Sequence, residues 1–275
     1  MAESHADGAP TPEEVQAMAR VVREVAWHTP LLPCAPLSRE LGCQVWLKPE
    51  NLQTTGSYKV RGAFARIRRL PAAARKRGVV TASAGNHAQG VALAATRLGV
   101  AASVVMPVSA PIAKVVATRE LGAEIILHGE SFEQAEAEAR RLEAQRGLTF
   151  VHPFDDWDVI AGQGSVTLEV LTDYPALAGG PLDTLVVPVG GGGLMAGAVL
   201  AAAGVPHPPR IVGVQAAGAD AAARSLRAGK AVTLEAVQTI ADGIRVRRPG
   251  DRPLRAIAGS GAAVVTVPDE EIARA

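Results

Sequence analysis

Short apolar runs rich in β-branched residues alternate with helical patterns along most of this chain, and no other feature restricts its fold as much. Residues 45–47, 78–82, 102–106, 124–127, 148–151, 184–189, 211–214 and 263–267 read as strands. Residues 59–70, 86–98, 111–121, 131–145, 156–171 and 194–203 read as the helices between them. A last helix opens at Pro268-Asp269-Glu270-Glu271. Strands separated by helices pair in parallel, so the pattern predicts an open α/β sheet. In residues 97–100 and 120–123 a glycine follows the last helical leucine and predicts a left-handed cap before the next strand. Thr11-Pro12-Glu13-Glu14 reads as a cap with proline at the first helical position. Residues 1–12, polar and without an apolar stretch, read as a disordered tail.

A chain of 275 residues can bury a substantial core in one large or two modest domains. Lys and Arg (28) nearly cancel Asp and Glu (27), which excludes a general attraction to nucleic acid or an anionic membrane. A local basic cluster, Arg66, Arg68, Arg69, Arg75, Lys76 and Arg77, reads as the solvated face and end of a helix. Cys34 and Cys43 make neither a disulfide framework nor a metal-ligand pattern, and the six histidines lack metal spacing; no metal is expected. The N-terminus shows no signal-peptide pattern, and two thiols suit a reducing compartment, so a cytoplasmic protein is expected. Residues 185–206 carry no charge, but Pro188 and a glycine run divide them into a strand, a loop and a short helix.

The candidate chemistry lies in three loops. Lys59 stands at the start of a helix, behind a glycine turn in Thr54-Thr55-Gly56-Ser57-Tyr58. Gly190, Gly191, Gly192 and Gly193 follow a strand and precede a helix, where bare amides and a helix N-terminus can cradle a phosphate. The run is neither a Rossmann fingerprint nor a Walker loop; as a plain tight turn it would need only one glycine. Ser83-Ala84-Gly85-Asn86-His87 repeats the architecture and suits a second anion such as a substrate carboxylate, with Asn86 also a candidate N-cap. His87 reads as packed or hydrogen-bonded. A lysine that forms a Schiff base needs a lowered pKa, from burial or a neighbouring cation. Arg61 is near in sequence but projects from another side of the helix. Together the loops suggest an aldehyde cofactor with a phosphate tail.

These segments resemble the pyridoxal-phosphate threonine/serine dehydratase family: Ser57-Tyr58-Lys59-Val60-Arg61-Gly62-Ala63, Ser83-Ala84-Gly85-Asn86-His87-Ala88-Gln89-Gly90 and Val189-Gly190-Gly191-Gly192-Gly193-Leu194. Lys48-Pro49-Glu50-Asn51-Leu52-Gln53, Ile160-Ala161-Gly162-Gln163-Gly164 and Ala241-Asp242-Gly243 extend the likeness in order. The resemblance implies a tryptophan-synthase-β-like fold of two open, mostly parallel sheets. Residues 13–77 and 154–275 would form a large domain, and residues 78–153 a small mobile one. It implies that Lys59 carries pyridoxal 5′-phosphate and removes the substrate α-proton, and that Gly190–Gly193 bind the phosphate. Asn86 would meet the ring oxygen, with Tyr58 and Gly243 on opposite ring faces. Ser83, Ala84, Gly85, Asn86 and His87 would shape the carboxylate site. The implied reaction turns a β-hydroxy amino acid into a 2-oxo acid and ammonia, in a homodimer or larger homo-oligomer.

Three departures from the family pattern carry information. Ala84 stands where racemases have serine, which favours elimination. Gln215 stands at the cation-binding glutamate and is a poorer ligand for a hard cation. Relatives continue beyond the position of Ala275 with a helix and a strand that supplies the partner of the pyridine nitrogen. An uncovered sheet edge and weaker cofactor retention are therefore expected. Beside the ammonia-lyase reading stand a non-catalytic relative and, more distantly, a serine racemase or a β-replacing synthase.

Overall fold

A computed structural model describes residues 8–275 of the protein; residues 1–7 of the expected tail lie outside the described residues. Strands β1 (Leu32–Pro33) and β2 (Trp46–Leu47) form a small antiparallel pair. Strands β3 (Val79–Ala82), β4 (Ala102–Met106), β5 (Glu124–Leu127) and β6 (Thr149–Phe150) form a parallel sheet in the order β5-β4-β3-β6. Strands β7 (Thr184–Pro188), β8 (Arg210–Ala216) and β9 (Ala263–Val267) form a second parallel sheet in sequential order. The expected fold of two open parallel sheets flanked by helices is present.

The helices are α1 (Pro12–Val22), α2 (Ala35–Leu41), α3 (Lys59–Arg69), α4 (Ala72–Arg77), α5 (Asn86–Arg97) and α6 (Ile112–Glu120). They continue with α7 (Phe132–Arg146), α8 (Trp157–Ala178), α9 (Gly193–Ala202), α10 (Ala221–Ala228), α11 (Asp251–Ile257) and α12 (Asp269–Arg274). Among the described residues no helix is long and apolar enough to cross a membrane.

Every residue of β3 and β4 is buried, as expected of parallel strands covered on both faces. On one face Val79, Val104 and Met106 pack with α3 and α5 residues such as Phe64, Ile67 and Val91. On the other, Val80, Ala82 and Val105 meet Ala135, Ala139 and Leu142 of α7. From β3 the chain steps outward to β4 and β5, then returns to β6 on the far side of β3. The loops that leave the carboxyl ends of β3 and β6 thus diverge at a topological switch point, where α/β sheets bind ligands.

Several expectations need correction. The eighth helix does not stop at Leu171 but runs to Ala178 through Pro175, and Gly179 closes it at φ 78°. Pro175 cannot donate to the Leu171 carbonyl. Burial of Val170 and Tyr174 against Leu31, with the Tyr174 ring meeting Trp46 edge-on at 6.1 Å, outweighs that loss. Between the strands expected at 211–214 and 263–267, where the sequence pattern shows no helix, lie α10 and α11. The basic cluster is not one solvated helix face. Pro71 separates α3 from α4, and Arg66 and Arg69 reach Asp158 at 3.1 and 2.8 Å, joining α3 to the first turn of α8. Thr11 and Pro12 are no tail: Thr11 forms a reciprocal cap with Glu14.

Arg61 is the largest fully buried side chain, with no accessible surface. Its guanidinium donates to Glu50 Oε2 at 2.8 Å, Glu169 Oε1 at 2.6 Å, Ser165 Oγ at 3.1 Å and the Trp27 carbonyl at 3.1 Å. Lys48 adds a second cation, 2.6 Å from Glu169 Oε2, and donates to the Thr29 carbonyl. The cluster ties α3, which begins at Lys59, to α8 and to residues 27–53. Arg61→Met leaves Glu169 with the Lys48 ammonium alone and the largely enclosed Glu50 carboxylate with only the neutral donors Thr29 and Gln53, and should destabilise the fold by about 3–5 kcal/mol in denaturant melts. A loss below about 1 kcal/mol would contradict a desolvated network.

Candidate active site

Residues 151–155, which leave the carboxyl end of β6, bring the three candidate loops together. Lys59 Nζ donates to the Pro153 carbonyl at 2.9 Å. The His87 ring bonds the Val151 carbonyl through Nε2 at 3.0 Å, and Thr81 Oγ1 donates to the same oxygen at 2.9 Å. The Phe154 side chain lies against Gly191 and Gly193. Helix α5 crosses Lys59 closely: a Cβ at Gly90 would sit 2.9 Å from the Lys59 carbonyl carbon. None of these contacts is local in sequence.

Lys59 keeps some accessible surface, as a group that receives a ligand must, yet protein surrounds its ammonium. Burial, which disfavours the charged form, pushes its pKa down to about 8. Nζ lies 5.5 Å from the centroid of the Tyr58 ring, and burial pushes the Tyr58 hydroxyl up to about 12. The Tyr58 ring packs against the core of the second sheet. Arg61, with its own carboxylate partners, takes no part in lowering Lys59.

All four glycines of the run meet a neighbour or need a special conformation, so the expectation that a plain turn would need only one is wrong. A Cβ at Gly191 would overlap the Phe154 ring, and one at Gly193 would lie 2.9 Å from Phe154 Cβ. Gly192 has φ 92° and faces Pro253, while a Cβ at Gly190 would lie 3.1 Å from Ile244 Cα. The amides from Gly190 through Met195 donate to no acceptor among the described residues. Gly191, Gly192 and Gly193 are buried, and a buried amide without an acceptor is costly. The fan of N–H groups at the start of α9 is therefore fitted to an anion.

The second loop repeats this at α5. Gly85 precedes the helix and donates to Ser83 Oγ at 3.2 Å. The amides of Ala84 and of Asn86 through Ala88 have no acceptor among the described residues. Asn86 is the first helical residue, not the N-cap, because Gly85, at the non-helical φ −134° and ψ −147°, already holds the cap position. The Asn86 side chain thus stays free of capping duty. His87 is buried, as expected, and its Nδ1 has no partner among the described residues. Burial, and then the nearby Lys59 charge, pushes His87 down to about 3 and keeps it neutral.

Gly243 sits in the turn Asp242–Ile244 with open space beside its Cα. Asp269 of α12 holds that loop, accepting from Thr239 Oγ1 at 2.6 Å and from the Ile240 amide at 3.0 Å. The buried Gln215 amide is already engaged: Nε2 donates to the Ala219 carbonyl at 3.2 Å, and Oε1 accepts from the Ala223 amide at 2.8 Å. No group of side chains suited to a metal ion occurs among the described residues. Sequence reading missed His152, Pro153 and Phe154. The signal available was a Pro- and Asp-rich turn, His-Pro-Phe-Asp-Asp, directly after a strand.

The residues present fit a phosphate-tailed aldehyde. A partly neutral amine and buried amides without acceptors lie on either side of one five-residue segment. The lowered Lys59 pKa has a consequence for stability. Below about pH 8 the ammonium is buried at a cost, and the cost is relieved as pH rises from the folded value toward the unfolded value near 10.5. Lys59→Met should therefore be more stable than the parent at pH 7, by roughly 2–3 kcal/mol, with the gap closing between about pH 8 and 10.5. Urea melts across that range test it; a constant gap would show an ordinary lysine.

A profile of the family described as pyridoxal-phosphate dependent enzyme matches residues 22–275. The chain is 44% identical over 265 residues to an L-threonine ammonia-lyase of Thermotoga maritima, covering 96% of this chain and 65% of that protein. It is 46% identical over 255 residues to an L-threonine ammonia-lyase of Geobacter sulfurreducens, covering 92% and 62%. The chain thus spans just under two thirds of the length of these relatives. Among solved structures, maize serine racemase superposes with a TM-score of 0.91 at 34% identity, covering 98% of this chain and 80% of that one. The processed form of threonine deaminase isoform 2 from Solanum lycopersicum gives 0.87 at 34% identity, covering 97% and 78%. With lysine and amide cradles assembled as described, this chain belongs to the pyridoxal-phosphate dependent enzyme family.

Proposed function

We propose that the protein removes the β-hydroxyl and the amino group from L-threonine, L-serine or a related β-hydroxy amino acid, giving a 2-oxo acid and ammonia. The observation that carries this reading is Lys59, pushed down to about 8, beside two helix N-termini whose amides lack acceptors. In this reading Lys59 holds the cofactor aldehyde, and the Gly190–Gly193 amides with the α9 terminus hold its phosphate. Tyr58 and Gly243 flank the ring, and Asn86 meets its oxygen. Ser83, Ala84, Gly85, Asn86 and His87 bind the substrate carboxylate, largely through main-chain amides.

When bound, pyridoxal phosphate supplies an electron sink for the charge left at the α-carbon. Lys59 takes the α-proton. At a pKa of about 8, roughly a quarter of the amine is neutral at pH 7.5, against about a thousandth for an ordinary lysine. The Pro153 carbonyl orients the amine. Loss of the β-hydroxyl as water leaves an enamine, which water hydrolyses to the 2-oxo acid and ammonia. The names of the two ammonia-lyases similar to this chain support the choice of threonine. Ala84 has no proton to give or take on the face opposite Lys59, which speaks against racemisation.

The same reading takes residues 78–153, which contain the four-stranded sheet, as a mobile domain within a larger one of residues 13–77 and 154–275. It also takes the protein as cytoplasmic, where Cys34 and Cys43 stay free thiols. Val186 and Val265, on the outer strands of the second sheet, are 60% and 46% exposed, which supports a homodimer or larger homo-oligomer. Light scattering should give at least twice the monomer mass; a stable monomer at micromolar concentration would overturn that part.

Borohydride reduction of the protein with pyridoxal phosphate, followed by peptide mapping, should label Lys59. L-Threonine should then give 2-oxobutyrate with little D-allo-threonine, the product of inversion at the α-carbon, and Ala84→Ser should raise the epimerised share. Label on another lysine, or racemisation as fast as oxo-acid release, would refute the assignment.

A further inference from the structure

We propose that His152 is a positioning residue: its Nδ1 caps the turn that presents the Pro153 carbonyl to Lys59 and the Phe154 ring to the glycine run. The proposal rests on Lys59 being the reactive amine. Nδ1 lies 2.8 Å from the Asp155 amide and 3.2 Å from the Phe154 amide. Both are donors, so Nδ1 is the unprotonated acceptor and the ring proton sits on Nε2. The imidazole thereby does for two main-chain N–H groups what a side-chain oxygen does in an Asx turn.

The cap holds a segment in which every residue has a task. Val151 receives Thr81 and His87, Pro153 receives Lys59, and Phe154 fills the space that side chains at Gly191 and Gly193 would need. Asp155 accepts from the Arg252 amide at 2.9 Å, and Asp156 caps α8. His152 also meets the Phe154 ring edge-on at 4.7 Å, which fixes that ring over the glycines. Burial holds His152 down to about 4, and the charges of Arg140, Lys59 and Arg252 act in the same direction, against Asp155. The acceptor therefore persists at neutral pH.

Two substitutions separate the acceptor from the ring. His152→Asn carries an oxygen at the topological position of Nδ1 and no ring; His152→Phe carries the ring and no acceptor. Competitive labelling with acetic anhydride, read by mass spectrometry at the Lys59 peptide, reports the apparent pKa of Lys59 without cofactor or turnover. The parent and His152→Asn should titrate together, and His152→Phe should differ from them by about one unit. Equal values in all three proteins, or a shift in His152→Asn, would overturn the proposal. Where His152→Phe fails to fold, His152→Ala, which lacks the acceptor, takes its place: a Lys59 value shifted from that of the parent and His152→Asn supports the cap, and parent-like labelling refutes it. ¹⁵N spectra of the parent should show Nδ1 unprotonated, and a protonated Nδ1 would equally overturn it. Because the labelling needs no pyridoxal phosphate, failure of the Lys59 cofactor assignment would show separately, as borohydride label on another lysine.

Discussion

Arg61 fixes the frame on which the site is built. A guanidinium with no accessible surface can be held only by carboxylates that are themselves inside, and Glu50 and Glu169 supply them from distant parts of the chain. Because Arg61 lies two residues past Lys59 in one helix, whatever anchors Arg61 also sets the axial position and rotation of the first turn of α3. Arg66 and Arg69 repeat the anchoring at the other end, on Asp156 and Asp158. Helix α3 is clamped to α8 along its length, and Lys59 has little freedom beyond its own rotamers. The hydrophobic core could hold such a helix in the layer, but directional ion pairs define where along the layer it stops.

The alternation of strand and helix patterns made the architecture legible, since β3, β4, β5, β7, β8 and β9 all lie where β-branched runs stand. What stayed hidden was tertiary in origin. Pro175 reads as a stop, yet α8 passes through it because Tyr174 has a buried seat beside Leu31. Helix α10 is a short alanine-rich helix whose buried face shows only once β9 packs against it and Gln215 of β8 accepts from its Ala223 amide. Arg66 and Arg69 read as solvated because their aspartate partners lie about ninety residues downstream. Charge pairing at that separation leaves no local signal.

The candidate site was legible in its loops and illegible in what joins them. Lys59, the Ser83–His87 loop and the glycine run each announce themselves by composition and by position at a strand–helix junction. The glycines show why composition alone reads ambiguously. Gly191 and Gly193 are needed for Phe154, Gly192 for its left-handed φ, and Gly190 for the Ile244 backbone. Packing and anion binding are not rival explanations here. The same absence of side chains that lets Phe154 close on the loop leaves buried amides free to face a phosphate.

The placement of residues 151–155 follows from topology. Strand β6 returns to the far side of β3 after the chain has built β4 and β5, so its exit loop must emerge beside the β3 exit loop and diverge from it. A segment in that position touches α5 on one side and the second sheet's first helix on the other. It can therefore align two helix N-termini that belong to different sheets. Lys59 Nζ donates to this segment and to nothing else among the described residues, so its environment is set by the alignment and not by a dedicated charge partner. Burial lowers its pKa, while the carbonyl that would favour its charged form is a weak dipole in place of a carboxylate. A carboxylate there would keep the amine protonated and unreactive. A backbone carbonyl orients it and leaves it free to lose its proton near neutral pH.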